Sequence, residues 1–305
     1  MPLAYCFTEY GGPETQQLLE VPMPEAGPGQ LQVAVHAAGV NPADWKVREG
    51  TRKDSVPVTL PAVLGREVAG VVTAVGERVE GFAVGDHVFG STATGFGGYA
   101  EYTVTNAAST AHKPETLPFT AAAVIPVAVG TAYDALAQLI LAEGATLLVV
   151  GAGGGVGLAA LQLARRSGVR VIAAAGDAKK DLVTSLGATW IASGPGLASR
   201  MRDTGPLDID AVFDVIGADL VELSGLVADP SRLISIGNSL SAQELGGSGV
   251  VRRRTTEVFT EVASLVASGA VDPHVRMAVP LAEAGDALAR VESGHSTGKV
   301  VVEVT

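Results

Sequence analysis

Apolar and polar positions change their period once along the chain, near residue 118. Before that point, short alternating runs at 32–37, 68–75, 87–89 and 100–104 are separated by Gly and Pro turns. Alternation sends successive side chains to opposite faces of a strand, so this stretch predicts an all-β, barrel-like domain. Beyond it, helical periodicity alternates with short apolar runs at 146–150, 169–175, 190–192, 211–215 and 233–236. Helices interleaved with buried strands predict a doubly wound parallel sheet. A strand, a helix and a strand follow at 275–279, 281–292 and 299–304, and the last strand is expected to return to the first domain. The predicted fold class is α/β: a β-barrel domain, 1–120 with 270–305, plus a parallel-sheet domain, 121–269.

The run Gly151-Ala152-Gly153-Gly154-Gly155-Val156-Gly157 stands between the apolar segment 146–150 and a helical pattern over 158–166. A strand that turns into a helix on glycines is where a dinucleotide pyrophosphate sits. The glycines allow a tight turn and close backbone approach, and the helix N-terminus presents free N–H groups with a favourable dipole. The further apolar run at 169–175 completes a βαβ unit, which gives the pattern its weight. Residues 144–164 carry no charge and are long enough to resemble a membrane span. Five glycines in their middle, with Glu143 before them and Arg165-Arg166 after, divide them instead into a buried strand and an amphipathic helix.

Composition narrows the function. The 305 residues carry a formal charge of -11, with 47% hydrophobic and 17% charged positions. That is globular and acidic, which argues against a nucleic-acid groove. The short basic run Arg252-Arg253-Arg254 is read as a solvated loop or helix start. Cys6 is the one cysteine, so neither an intramolecular disulfide nor a thiolate zinc cluster can form. No basic start or long apolar core opens the chain, and the expectation is a soluble cytoplasmic protein with no membrane partner.

Several short motifs occur in a fixed order: Gly39-Val40-Asn41-Pro42-Ala43-Asp44 with Arg48-Glu49-Gly50, then Gly65 to Gly70, Val75-Gly76, Gly85-Asp86-His87-Val88, Gly98-Tyr99-Ala100-Glu101-Tyr102 and Gly130-Thr131-Ala132-Tyr133. After the glycine turn come Leu186-Gly187-Ala188, Asp214-Val215-Ile216-Gly217, Ser235-Ile236-Gly237 and Gly298-Lys299-Val300-Val301. In this order the chain resembles the zinc-free quinone oxidoreductase branch, zeta-crystallin-like, of the medium-chain dehydrogenase/reductase superfamily. The resemblance implies a GroES-like N-terminal domain, a Rossmann domain, an active site in the cleft between them and a homodimer. Edge strands of two Rossmann sheets often join in such dimers, and 275–279 is the candidate edge. Zinc members carry a Cys in the segment that here holds Asn41, and Gly-His-Glu where this chain has Gly65-Arg66-Glu67. They also insert a four-cysteine lobe that this chain lacks. Arg66 has no lone pair to offer a metal, so no metal is expected.

By the same resemblance, Gly151, Gly153, Gly154, Gly155 and Val156 hold the pyrophosphate, while Thr131 and the backbone at Ile216 and Gly237 line the nicotinamide side. Ala174 and Ala175 stand where an NAD site keeps its ribose acid. Lys179, followed by Lys180, stands where the family has a lysine facing a 2'-phosphate, and Gly176 replaces a frequent Ser or Thr. NADP(H) is therefore the expected cofactor, with Lys179 and Lys180 otherwise an ordinary solvated helical turn. Asp177 reads as a ribose acid or a helix N-cap. Candidate catalytic residues are Asn41, Thr131 and Tyr133. Asn41 either orients a substrate carbonyl or caps the Asn-Pro turn; Tyr133 either reaches substrate or packs in the core; Asp44 and Arg48 are expected to pair structurally. His36, His87, His112, His274 and His295 show no ligand spacing.

The implied reaction is hydride transfer from NADPH to a quinone or another α,β-unsaturated carbonyl. An enoyl-thioester reductase and a low-turnover NADPH-binding sensor or structural protein are the alternatives. The loops 51–57, 92–97 and 239–250 are expected to face substrate, and the last, rich in Gly and Ser, to be mobile.

Overall fold

A computed structural model describes residues 1–51, 53–203, 208–217 and 219–304. One residue of the expected substrate loop 51–57, position 52, lies outside the described residues. The chain begins with β1 (Leu3–Phe7), β2 (Gln16–Glu20), β3 (Gln30–Val40), α1 (Pro42–Arg48), β4 (Ala62–Val63), β5 (Glu67–Val75), β6 (His87–Thr92), β7 (Tyr102–His112) and α2 (Phe119–Ala122). It continues through α3 (Gly130–Leu139), β8 (Thr146–Val150), α4 (Gly155–Arg166), β9 (Arg170–Ala175), α5 (Lys180–Ser185), β10 (Thr189–Ala192), α6 (Leu197–Asp203), β11 (Ala211–Asp214), α7 (Leu220–Ser224), β12 (Leu233–Ser235) and α8 (Ser239–Glu244). It closes with α9 (Thr256–Ala267), β13 (Val275–Pro280), α10 (Ala284–Glu292) and β14 (Lys299–Glu303).

Two compact units result: Met1–Val127 with Arg254–Gly269 and Val275–Thr305, and Ala128–Arg253 with Ala270–His274. In the first, a six-stranded sheet runs β13-β14-β3-β5-β6-β7, and a further β3–β7 pairing curls it into a barrel. Strand β3 alternates half-buried and buried positions along most of its length, as its sequence pattern predicts. Its outer half pairs with β7 and its inner half with β14, where Val300 faces Val40 and Val302 faces Ala38. The C-terminal strand therefore returns to the barrel. The barrel core gathers Phe7, Val35, Leu64, Val68, Tyr99, Leu288 and Val302.

The second unit is a parallel five-stranded sheet in the order β10-β9-β8-β11-β12. The order reverses between β8 and β11, which makes the carboxyl ends of these two strands the switch point of the doubly wound fold. Strand β8 is buried at all five positions. Helix α4 buries Leu158, Leu161 and Leu163, each stabilising by about 2 kcal/mol. Residues 144–164 thus form a strand and a helix, as read.

Three expectations are corrected. Helix α9 belongs to the barrel unit, not to 121–269: Phe259 packs on Phe89 with ring centroids 6.1 Å apart. The Thr256 hydroxyl is also 2.9 and 2.7 Å from the carbonyl oxygens of Ala107 and Thr110 on β7. The segment 275–279 is an edge, but of the barrel sheet, because β13 pairs in parallel with β14. Finally, 239–250 is not an open loop. Asn238 caps α8 by accepting from Ser241 N, and Ser248 bridges Ile234. The Gln138 amide holds Ser248 Oγ, Gly249 O and Val251 N at 2.9, 3.1 and 3.0 Å.

Candidate functional site

In the parallel-sheet unit, β8 runs into a turn whose geometry depends on glycine. Gly151 adopts a φ of +84°, and a Cβ there would approach Ile216 Cγ2 to 2.6 Å. At Gly157 a Cβ would meet the Gly151 carbonyl oxygen at 2.5 Å and Ala152 Cα at 2.6 Å, so the helix can lie against the turn only without side chains. Gly154 is the N-cap of α4, and among the described residues no side chain accepts from the first N–H groups, at Gly155 and Val156. Such donors, with the positive end of a twelve-residue helix behind them, suit an anion. The Lys179 side chain lies across this turn, since a Cβ on Gly153 would strike its Cβ and Cγ at 3.1 Å.

The loops after β11 and β12 are locked beside it. Asp214 is fully buried and accepts from Gly217 N at 2.9 Å and from the Ser235 hydroxyl at 2.6 Å. Ser235 Oγ in turn accepts from Asn238 N at 2.9 Å. Gly237 packs directly on the backbone of Ile216 and Gly217. The fold therefore brings Gly151, Gly153, Ile216, Gly237 and Lys179 together at the switch point.

In the barrel unit, Asn41, Asp44 and Glu67 are tied into buried polar contacts. Glu67, with no exposed surface, is 3.0 Å from Lys299 Nζ and accepts from Asn41 Nδ2 at 2.9 Å and Val127 N at 2.7 Å. Lys299 Nζ also donates to Asn41 Oδ1 at 2.7 Å and Val40 O at 2.9 Å, so its three hydrogens are used. Beside them, buried Asp44 accepts from the Tyr99 hydroxyl and from Asn41 N, both at 2.8 Å, with Arg66 Nε 3.6 Å away. Burial raises the Asp44 pKa, against the opposing pull of Arg66 and the Tyr99 hydrogen bond. Burial and the neighbouring Asp44 hold the Tyr99 phenol well above its ordinary value.

Comparison with known proteins resolves the family. The family model described as the alcohol dehydrogenase GroES-like domain matches residues 27–115, and that described as zinc-binding dehydrogenase matches 186–302. The human quinone oxidoreductase is 32% identical over 320 residues, covering 96% of this chain and 95% of that one. The chain belongs to the quinone oxidoreductase branch of the medium-chain dehydrogenase/reductase superfamily. A second relative, the chloroplastic NADPH-dependent alkenal/one oxidoreductase of Arabidopsis thaliana, is 31% identical over 311 residues, covering 98% of this chain and 78% of that one. The solved quinone oxidoreductase from Coxiella burnetii superposes with a TM-score of 0.90 at 28% identity, covering 100% and 99% of the two chains.

Within this branch, the remaining site residues fall into two groups. Thr131 and Tyr133 sit on the first turn of α3. Thr131 is buried, and half-buried Tyr133 carries the Arg253 guanidinium over its ring at 5.5 Å. Gly176 caps the short helical turn Asp177–Lys179, so Asp177 is its first residue and not its cap. Lys180 is held 4.8 Å over the Trp190 ring, apart from the glycine turn that Lys179 crosses. Asn41 is the N-cap residue of α1 and shares a capping box with Asp44, whose Oδ2 accepts from its N–H at 2.8 Å, while its amide is committed to Lys299, Glu67 and Gly39. Asp44 and Arg48 do not pair with each other. Arg48 is bidentate to Glu292 at 2.8 and 3.1 Å and also donates to Gly11 O.

The basic run is the loop that leads into α9, with Arg253 and Arg254 exposed as expected, but it is not only solvated. Arg252 and Arg253 both donate to buried Asp134, a pairing that sequence separation conceals. Burial pushes the Cys6 thiol up to about 11, which leaves it inert at neutral pH.

Proposed function

We propose that the protein is an NADPH-dependent reductase that delivers hydride to a quinone or another α,β-unsaturated carbonyl, without zinc. The observation that carries this is the glycine turn at the switch point. Its uncapped helix N-terminus fits a pyrophosphate, and Lys179 lies across it. A half-buried lysine there, with Ala174 and Ala175 ending β9 in place of an acid, favours the 2'-phosphate of NADPH over the free ribose of NADH. The relatives named as quinone and NADPH-dependent alkenal/one oxidoreductases support the acceptor class.

Bound NADPH supplies the hydride. The chain contributes binding through Gly151, Gly153, Gly154, Gly155 and Val156, and orientation through the locked backbone at Ile216 and Gly237. Orientation of this kind contributes roughly 7–11 kcal/mol in favourable cases. Thr131 and half-buried Tyr133, on the first turn of α3, are the side chains assigned to the acceptor. The barrel network supports zinc independence. The Glu67 carboxylate and Asn41 amide oxygen already surround the Lys299 ammonium, so a metal ion would have to displace a resident cation. A cytoplasmic homodimer completes the reading on the family resemblance. Recovery with membranes, or a monomeric mass in sedimentation, would overturn that part.

The test is oxidation of NADPH and NADH, side by side, by 1,4-benzoquinone, 9,10-phenanthrenequinone and a short enone, with and without chelator. Chelator-resistant turnover that favours NADPH is expected. Cofactor binding without turnover of any acceptor would replace the reductase with a sensor or a thioester reductase.

A further inference from the structure

We propose that Arg252 is a positioning residue that makes the Thr131 hydroxyl a hydrogen-bond donor to a carbonyl oxygen of the bound reactants. This rests on the reading above, in which Thr131 faces the nicotinamide side of the site. A guanidinium has donors and no acceptor. Arg252 Nη1 lies 2.6 Å from Thr131 Oγ1, so the threonine oxygen can only accept there. Thr131 is 4% exposed, and among the described residues no acceptor takes its hydroxyl hydrogen. With the oxygen fixed by a cation, that hydrogen is left for a ligand. A charged donor on the oxygen also polarises the O–H bond and strengthens it as a donor.

The arginine is itself held in place. Its Nε donates to Asp134 Oδ2 at 3.0 Å. Asp134, 2% exposed, is fixed in turn by Arg253 N at 2.9 Å and Arg253 Nε at 3.0 Å. Thr131 and Asp134 are three residues apart on α3, so both project from one helix face and a single guanidinium bridges them. The carboxylate aims the guanidinium and the guanidinium sets the hydroxyl. Two carbonyl oxygens have the required chemistry: the carboxamide of the nicotinamide and the carbonyl of the substrate.

The experiment uses Thr131→Val, Thr131→Ser, Arg252→Gln, Arg252→Lys and the double variant Arg252→Gln/Thr131→Val, each checked for folding by thermal unfolding. Dissociation constants are measured by protein fluorescence for NADPH and its thionicotinamide analogue, and kcat and KM for 1,4-benzoquinone and a short enone. Thr131→Val is expected to lose about tenfold, the worth of one good hydrogen bond, and Thr131→Ser to recover it. If the carboxamide is the acceptor, the loss falls on NADPH affinity and shrinks with the thio analogue. If the substrate carbonyl is the acceptor, NADPH affinity holds and kcat/KM falls.

Arg252→Gln should lose a similar factor alone and nothing further in the Thr131→Val background. Should it not fold, Arg252→Lys stands in for it in the same comparison. Unchanged affinity and turnover in Thr131→Val, or an arginine effect that persists in full without the hydroxyl, overturns the inference. If wild type turns over no acceptor, the reductase reading fails, and NADPH affinity alone then decides for or against the Thr131 donor.

Discussion

The glycine turn of the parallel-sheet unit and the Asn41–Glu67–Lys299 network of the barrel unit are opposite solutions to the placement of polar groups. Among the described residues the turn leaves backbone donors without side-chain partners, the arrangement that suits a bound anion. The network leaves nothing open: an ammonium, a carboxylate and an amide satisfy one another out of water. A polar residue in a family motif is therefore not a site residue until its partners are counted. Thr131 has a donor to spare and Asn41 does not.

The largest effect that would break this contrast comes from halving the buried pair. Lys299→Met should cost about 3–5 kcal/mol in urea unfolding, because it strands the Glu67 carboxylate, and Glu67→Leu in the same chain should recover much of it. A loss within 1 kcal/mol for Lys299→Met would mean that the pair is hydrated. On the other side, Gly157→Val should weaken NADPH binding at least about tenfold, since its side chain enters the space of Gly151 and Ala152 and displaces the donors a phosphate needs. Retained affinity in fluorescence titration would remove the turn from the cofactor site.

Asn41→Ala sharpens the comparison. It should lower stability by about 1–3 kcal/mol, through unmet hydrogen bonds on Glu67 and Lys299, while kcat per folded molecule stays within about twofold. A collapse of kcat at full stability would assign Asn41 a catalytic role. The smallest expected effect is on pH dependence. His36 stacks on Phe119 at 4.3 Å, and burial, with His87 nearby, lowers its pKa. The folded protein therefore favours the neutral ring. This contribution is complete above the unfolded value of about 6.5 and is lost as pH falls below it. His36→Phe should flatten the drop in Tm between pH 7 and pH 5 by about 1–2 °C, and an unchanged drop would assign it elsewhere.

What could be read from the sequence follows the range of the signals. Period-two alternation, the strand–glycine–helix succession and the end of β9 on alanines are local, and they give both folds and the glycine turn. Motif order carried the family, where single motifs were weak. The barrel network was illegible because Lys299 meets Glu67 across 232 residues, and no spacing rule reports such a pairing. The pairing of Arg252 with Asp134, 118 residues apart, is hidden in the same way, inside a run whose other two arginines are exposed. The unit of helix α9 is not legible in the sequence, because periodicity shows that a helix has a buried face, not which sheet covers it.

The most direct test of the central claim is a parallel titration of wild type and Lys179→Ala with NADPH and NADH. The account predicts that wild type prefers NADPH by about tenfold or more, the scale of a charge-assisted hydrogen bond, and that Lys179→Ala abolishes the preference while keeping its NADH affinity. Equal affinities in wild type, or a preference that survives the substitution, would contradict it.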